Sequence, residues 1–137
     1  MIKKIKILIV TVFLTAFGGV TYADFQDGLD AYIKGDYETA LKEWQSLADQ
    51  GNASAQYNLG LMYDKGKGVL KDDKQAVKWY RKAADQGDAD AQFNLGGMYA
   101  YGEGVLKDLS KAKYWIKKAY ENPSANKVSP NRWTENR

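Results

Sequence analysis

The string Ala53-Ser54-Ala55-Gln56-Tyr57-Asn58-Leu59-Gly60-Leu61-Met62-Tyr63 returns almost unchanged as Ala89-Asp90-Ala91-Gln92-Phe93-Asn94-Leu95-Gly96-Gly97-Met98-Tyr99, 36 residues later. Its flanks keep the same offset. Asp49-Gln50-Gly51 recurs as Asp85-Gln86-Gly87, Gly66-Lys67-Gly68-Val69-Leu70-Lys71-Asp72 as Gly102-Glu103-Gly104-Val105-Leu106-Lys107-Asp108, and Lys78-Trp79 as Tyr114-Trp115. A period of this length means one supersecondary unit copied in tandem. Each copy is too small to bury its apolar face alone, so neighbours stack into a continuous core.

Apolar spacing assigns the helices. Phe25, Leu29, Tyr32 and Ile33 fall at i, i+4, i+7 and i+8, so Asp24 to Lys34 reads as a helix ended by Gly35. Ala40, Leu41, Trp44, Leu47 and Ala48 keep the 3.6 period from Tyr37 to Gln50, and Gly51 stands where a glycine stops a helix. The pair repeats over Ala53 to Asp64 with Asp72 to Gln86, and again over Ala89 to Tyr101 with Asp108 to Tyr120. The expected fold is all-α, an α/α superhelical solenoid of about three helix-turn-helix repeats spanning roughly 24–51, 52–87 and 88–121. Gly28, Gly60 and Gly96, with Ala40, Ala76 and Ala112 on the partner helices, read as close-approach packing residues. Trp44, Tyr80 and Ile116 share one core position.

The paired glycines of the Gly66-Lys67-Gly68-Val69 and Gly102-Glu103-Gly104-Val105 loops do not form a phosphate cradle, since no strand precedes them and no Lys-Ser/Thr follows. They supply positive φ for a helix-to-helix turn. Asp64, Asp72 and Asp73 lack the alternate spacing of a calcium loop. Asp72 and Asp108 read as N-caps. Asn52-Ala53-Ser54 fits a glycosylation sequon but opens a helix, which favours chance occurrence.

The chain holds no cysteine and no histidine, which removes disulfides, thiol nucleophiles, histidine bases and the zinc sites built on either residue. No cofactor or metal is expected. Lys3, Lys4 and Lys6 precede an uncharged stretch from Ile7 to Ala23, and Thr21-Tyr22-Ala23 ends it with small residues at the positions a signal peptidase reads. Residues 1–23 therefore read as a secretory signal peptide cleaved before Asp24, with periplasmic or secreted localisation. An uncleaved membrane anchor is the competing reading. The formal charge of +3 falls to zero when the three leader lysines go, since the leader carries no acid. No basic surface remains to suggest nucleic acid. After Tyr120 the Asn122-Pro123-Ser124 break and the turn-rich Ser129-Pro130-Asn131-Arg132-Trp133-Thr134 mark 122–137 as a loosely ordered tail, from which Trp133 could cover the last repeat or hook a partner.

The Ala-x-Ala-Gln-x-x-Leu-Gly-x-x-Tyr string, the Gly-x-Gly-Val-x-x-Asp loop and Trp79-Tyr80-Arg81-Lys82-Ala83-Ala84 together resemble the Sel-one-like repeats, relatives of the tetratricopeptide repeats. The likeness covers about residues 24–121. The first unit departs from it: Gly35-Asp36-Tyr37-Glu38-Thr39-Ala40 is nearer the shorter tetratricopeptide turn and suits an atypical capping repeat. The third has Tyr114-Trp115-Ile116 in place of Trp-Tyr. The resemblance implies a protein-binding scaffold of a kind common among exported bacterial proteins. Cysteine-rich exported relatives have been linked to penicillin binding or β-lactam hydrolysis, and the absence of cysteine here argues against carrying that activity over.

The expected function is thus an exported, non-enzymatic interaction scaffold for a protein or peptide, or an immunity-type protein that occludes one cognate partner. The enzymatic alternative, a cell-wall or β-lactam activity, would rest on a carboxylate pair such as Glu43 with Asp49 or Asp72 with Asp73, but exposed carboxylates with no apolar pocket do not split their pKa values. Aligned on Gly28, Gly60 and Gly96, Phe25 with Leu29, Tyr57 with Leu61, and Phe93 with Gly97 and Tyr101 form a ladder on the first helices. In tetratricopeptide relatives this face lines the concave groove. The ladder is the candidate partner-binding surface, and packing between neighbouring first helices is the competing reading.

Overall fold

The computed structural model describes residues 24–124, and the leader, its cleavage position and Trp133 lie outside them. The described chain forms six α-helices: α1 (Phe25–Lys34), α2 (Tyr37–Asp49), α3 (Ala53–Lys65), α4 (Asp73–Asp85), α5 (Ala89–Tyr101) and α6 (Leu109–Glu121). They make three hairpins, α1–α2, α3–α4 and α5–α6, each stacked on the next through α2 against α3 and α4 against α5.

Each helix starts on an acid or amide whose side chain accepts a backbone N–H of its first turn: Asp24, Asp36, Asn52, Asp72, Asp88 and Asp108. Such caps satisfy donors that have no partner inside the helix. Asp72 and Asp108 do the work the sequence assigns them. Asn52 of the sequon is itself a cap, its carbonyl taken by Ala55 N at 2.9 Å.

Between α3 and α4 the chain turns on Gly66 (φ 62°) and Gly68 (φ 70°), and between α5 and α6 on Gly102 (φ 72°) and Gly104 (φ 66°). Beyond its positive φ, Gly68 lies so close to Tyr37 that a Cβ there would stand 2.7 Å from the Tyr37 Cβ. The loop of one repeat is thereby seated on the start of the previous repeat's second helix.

Two apolar clusters form the core, one at each junction. Trp44, Ala48, Leu59, Met62 and Trp79 fill the first; Tyr80, Ala84, Leu95, Met98 and Trp115 fill the second. The glycine register is confirmed atom by atom. A Cβ on Gly60 would meet the Tyr80 ring at 2.5 Å, one on Gly96 would meet Ile116 Cγ1 at 2.6 Å, and Gly28 abuts Trp44 in the same way. Trp44 and Tyr80 are buried, whereas Ile116 is only half-buried, because among the described residues no further helix covers α6.

Candidate partner-binding surface

The glycine register places Phe25, Tyr57 and Phe93 at one position of successive first helices. Each ring leans on the second helix of its own hairpin. Phe25 lies 6.0 Å from the Trp44 ring, and Trp44 Nε1 donates to the Phe25 carbonyl at 3.3 Å. Tyr57 lies 5.9 Å from the Tyr80 ring. Phe93 meets Tyr120 edge-on at 6.2 Å. Phe25 stays half-buried, but Tyr57 and Phe93 are each only 8% exposed. Leu29 and Leu61 are half-buried against the first and second clusters, and Gly97 is buried. Tyr101, 63% exposed, is the most open of the ladder residues.

Within this chain the repeat register is thus fixed by side-chain geometry, and a Sel1 repeat family model matches residues 23–52, 53–88 and 89–124. The chain belongs to the Sel1 repeat family. Among solved structures it is similar to a Sel1 repeat protein from Oxalobacter formigenes (42% identity, TM-score 0.69, 72% of this chain and 40% of that one). It is also similar to c5321, a protective antigen of uropathogenic Escherichia coli strains with the same repeat fold (39% identity, TM-score 0.66, 70% of this chain and 21% of that one). Helicobacter pylori cysteine rich protein B shares the fold at 21% identity (TM-score 0.62, 86% of this chain and 98% of that one). The Sel1 chain therefore spans less than half the length of the first two. No curated protein matches it. Sel1 repeat proteins generally mediate protein–protein interaction, and the family is typically non-enzymatic.

Beside the ladder, the Sel1 chain carries polar contacts that its sequence does not announce. Asp64, at the end of α3, is 6% exposed and lies 3.6 Å from Lys65 and 3.7 Å from Lys71. Lys71 Nζ also donates to the Asp64 carbonyl at 3.0 Å and to Asp73 at 2.6 Å, tying the loop to both helices. The Asp73 hydrogen bond raises the Lys71 pKa against the opposing effect of burial. Tyr80 directs its hydroxyl at Asp64 Oδ2 at 3.5 Å, and burial first, then the Asp64 charge, pushes that hydroxyl well above its ordinary value.

Between the second and third repeats, the Arg81 guanidinium sits 5.7 Å from the Tyr99 ring centre and 5.3 Å from that of Trp115, and donates to the Tyr99 hydroxyl. Lys82 covers Trp79 at 4.7 Å and Lys118 covers Trp115 at 5.2 Å. Lys82 and Lys118 lid the junction tryptophans with their stems while keeping charge in water, whereas Arg81 is half-buried between the repeats. The two lysine contacts lie at i, i+3 within one helix and could be read from spacing, whereas Arg81 reaches Tyr99 and Trp115 of the next repeat, which spacing does not reveal.

Three of the four carboxylates weighed for catalysis, Asp49, Asp72 and Asp73, have structural partners. Asp72 accepts Lys74 N and Gln75 N, Asp73 pairs with Lys71, and Asp49 accepts from Gln45 Nε2 at 2.9 Å. Among the described residues no group of three or more Asp, Glu, His or Cys is placed to hold a metal.

Proposed function

We propose that the chain is an exported adaptor that binds a partner protein or peptide on the curved surface lined by α1, α3 and α5, with Phe25, Leu29, Tyr57, Leu61, Phe93 and Tyr101 as its contact ladder. The observation that carries this reading is that Phe25, Tyr57 and Phe93 occupy one register position in three units of a family of interaction modules. Tyr57 and Phe93 form the floor of this surface through their packing on Tyr80 and Tyr120, while Leu29, Leu61 and Tyr101 supply the open part. Rigid aromatic anchors surrounded by aliphatic contacts commonly carry interface energy. Export rests on the lysine-led apolar leader ending at Ala23.

The test is a photo-reactive residue at position 101, with the same residue at Leu106, 92% exposed on the loop edge, as the control. A single crosslinked partner from position 101 and none from position 106 supports the reading. Equal crosslinking from both positions, or none from either, removes it. N-terminal sequencing of the protein recovered from the cell envelope tests export separately, with Asp24 expected as the first residue.

A further inference from the structure

The two ends of the described solenoid differ from its interior in a patterned way. At the internal junctions a first helix meets the preceding second helix through Gln56, Leu59 and Met62 in one repeat and Gln92, Leu95 and Met98 in the next, all buried. The Gly28, Gly60 and Gly96 register places the N-cap Asp24 and then Asp27 and Asp30 of α1 at those positions, and all three are exposed. Lys34 follows only in the last turn of the helix.

The opposite change occurs on α6. The positions that meet a following repeat are Leu41, Trp44, Gln45 and Ala48 on α2 and Val77, Tyr80, Arg81 and Ala84 on α4, as the Arg81 contact with Tyr99 and the Gln92 contact with the Ala84 carbonyl show. On α6 they become Lys113, Ile116, Lys117 and Tyr120. Lys113, Lys117 and Tyr120 are exposed, Tyr120 by 55%.

A terminal repeat needs a polar outer face to stay soluble, and either sign of charge would serve that purpose. Here the two faces carry opposite signs. The first repeat holds seven carboxylates against two lysines, a net of −5, and none of those carboxylates forms an ion pair among the described residues. The second repeat has seven cations against five acids, a net of +2, and the third five against four, a net of +1. On the α6 face, among the described residues, Lys113 has no carboxylate partner, and Lys117 has only the exposed Glu121 at 3.6 Å, a pair of the kind that exchanges partners at little cost.

We infer that the two ends are docking faces for each other: α1 of one copy, through Asp27 and Asp30, meets α6 of a second copy, through Lys113 and Lys117, in a head-to-tail association. Tyr120 and Ile116 supply apolar area beneath the charges. The contact differs from an internal junction, because Asp24 is a carboxylate where Gln56 and Gln92 donate to a carbonyl, so it is held by ion pairs and weakens as salt screens them. Such an interface is heterologous: each added copy leaves one acidic and one basic end free, so association extends beyond a dimer with concentration unless the rotation closes a ring.

The test is sedimentation velocity on the protein purified after expression from its full sequence, at low and at high ionic strength. Wild type is expected to sediment faster as its concentration rises at low salt, and as a monomer at high salt. Asp27→Lys with Asp30→Lys gives two basic ends, and Lys113→Glu with Lys117→Glu gives two acidic ends; each variant alone is expected to remain monomeric. Mixing the two variants should restore association, because each end then faces its opposite. All four side chains are exposed, and circular dichroism checks that both variants are folded. A wild type that stays monomeric at low salt overturns the inference. So does association that survives both reversals, or a mixture that fails to assemble.

Discussion

Gln92 Nε2 donates to the backbone carbonyl of Ala84 at 3.1 Å, joining α5 to the helix before it. Gln56 Nε2 makes the same 3.1 Å bond to the Ala48 carbonyl one repeat earlier. Each amide is itself held from the following helix: Gln86 Nε2 donates to Gln56 Oε1 at 2.7 Å, and Asn122 Nδ2, 36 positions on, approaches Gln92 Oε1 at 3.4 Å. Three helices are thereby linked at each junction by a chain of amides. Replacing Gln92 by Leu keeps most of the volume and removes this link. The expected cost is about 1–2 kcal/mol in urea unfolding, the scale of a buried hydrogen bond lost with its partner left behind.

Gly60 has no room for a methyl group, since a Cβ would lie 2.5 Å from Tyr80 Cδ1. Gly60→Ala should destabilise the fold by about 1–3 kcal/mol through overpacking, despite alanine's better helix propensity. In a Tyr80→Ala background the same change should cost much less. Near-additive costs in the double-mutant cycle would place the effect elsewhere.

Alkali should weaken the fold through Tyr80. Its hydroxyl titrates higher when folded than its ordinary value of 10.0, because burial and the Asp64 charge disfavour the phenolate. The stabilisation linked to that shift is full below pH 10 and is lost as pH rises, since the unfolded chain then gives up the proton the folded chain retains. Tyr80→Phe should flatten this alkaline loss. Lys71, also raised in the fold, contributes a decline of the same sign and remains in the variant as background.

Arg81 spans Tyr99 and Trp115, so Arg81→Ala should lower stability by about 0.5–2 kcal/mol and shift Trp115 emission. Arg81→Lys should recover only part of the loss, because an ammonium lacks the planar stacking surface. Full recovery by lysine would mean that charge alone matters there.

Much of this architecture was legible in the sequence because its causes are local. The 3.6 period, the aspartate at each second-helix start and the glycine pairs specify the hairpins one segment at a time, and the observed helix ends lie within a residue of the expected ones. Gly60 recurs as Gly96 at the 36-residue offset, and the Tyr80 position recurs as Trp44 and Ile116, so the repeat alone marks both as packing positions. The ladder was less legible. Spacing on α3 and α5 puts Tyr57 and Phe93 on one side of the helix, but their exposure depends on the rings of Tyr80 and Tyr120 from the second helices. Their contacts with those rings cross to the second helix of the same hairpin, which the spacing along one helix does not reveal. The burial of Asp64 was equally hidden, because Lys71 and Tyr80 reach it only after the loop has folded back.

The amide chain has a bearing on how such a protein changes length over generations. Donor and acceptor sit at the same two places in each junction, so a duplicated unit inserted between Asp88 and Ala89 would present a carbonyl to the helix after it and an amide to the helix before it. The new seam would need no compensating mutation. Recombination within the gene can add or delete whole turns of the solenoid without repairing what it cuts, and selection is left to act on the reach of the protein while its joints stay constant.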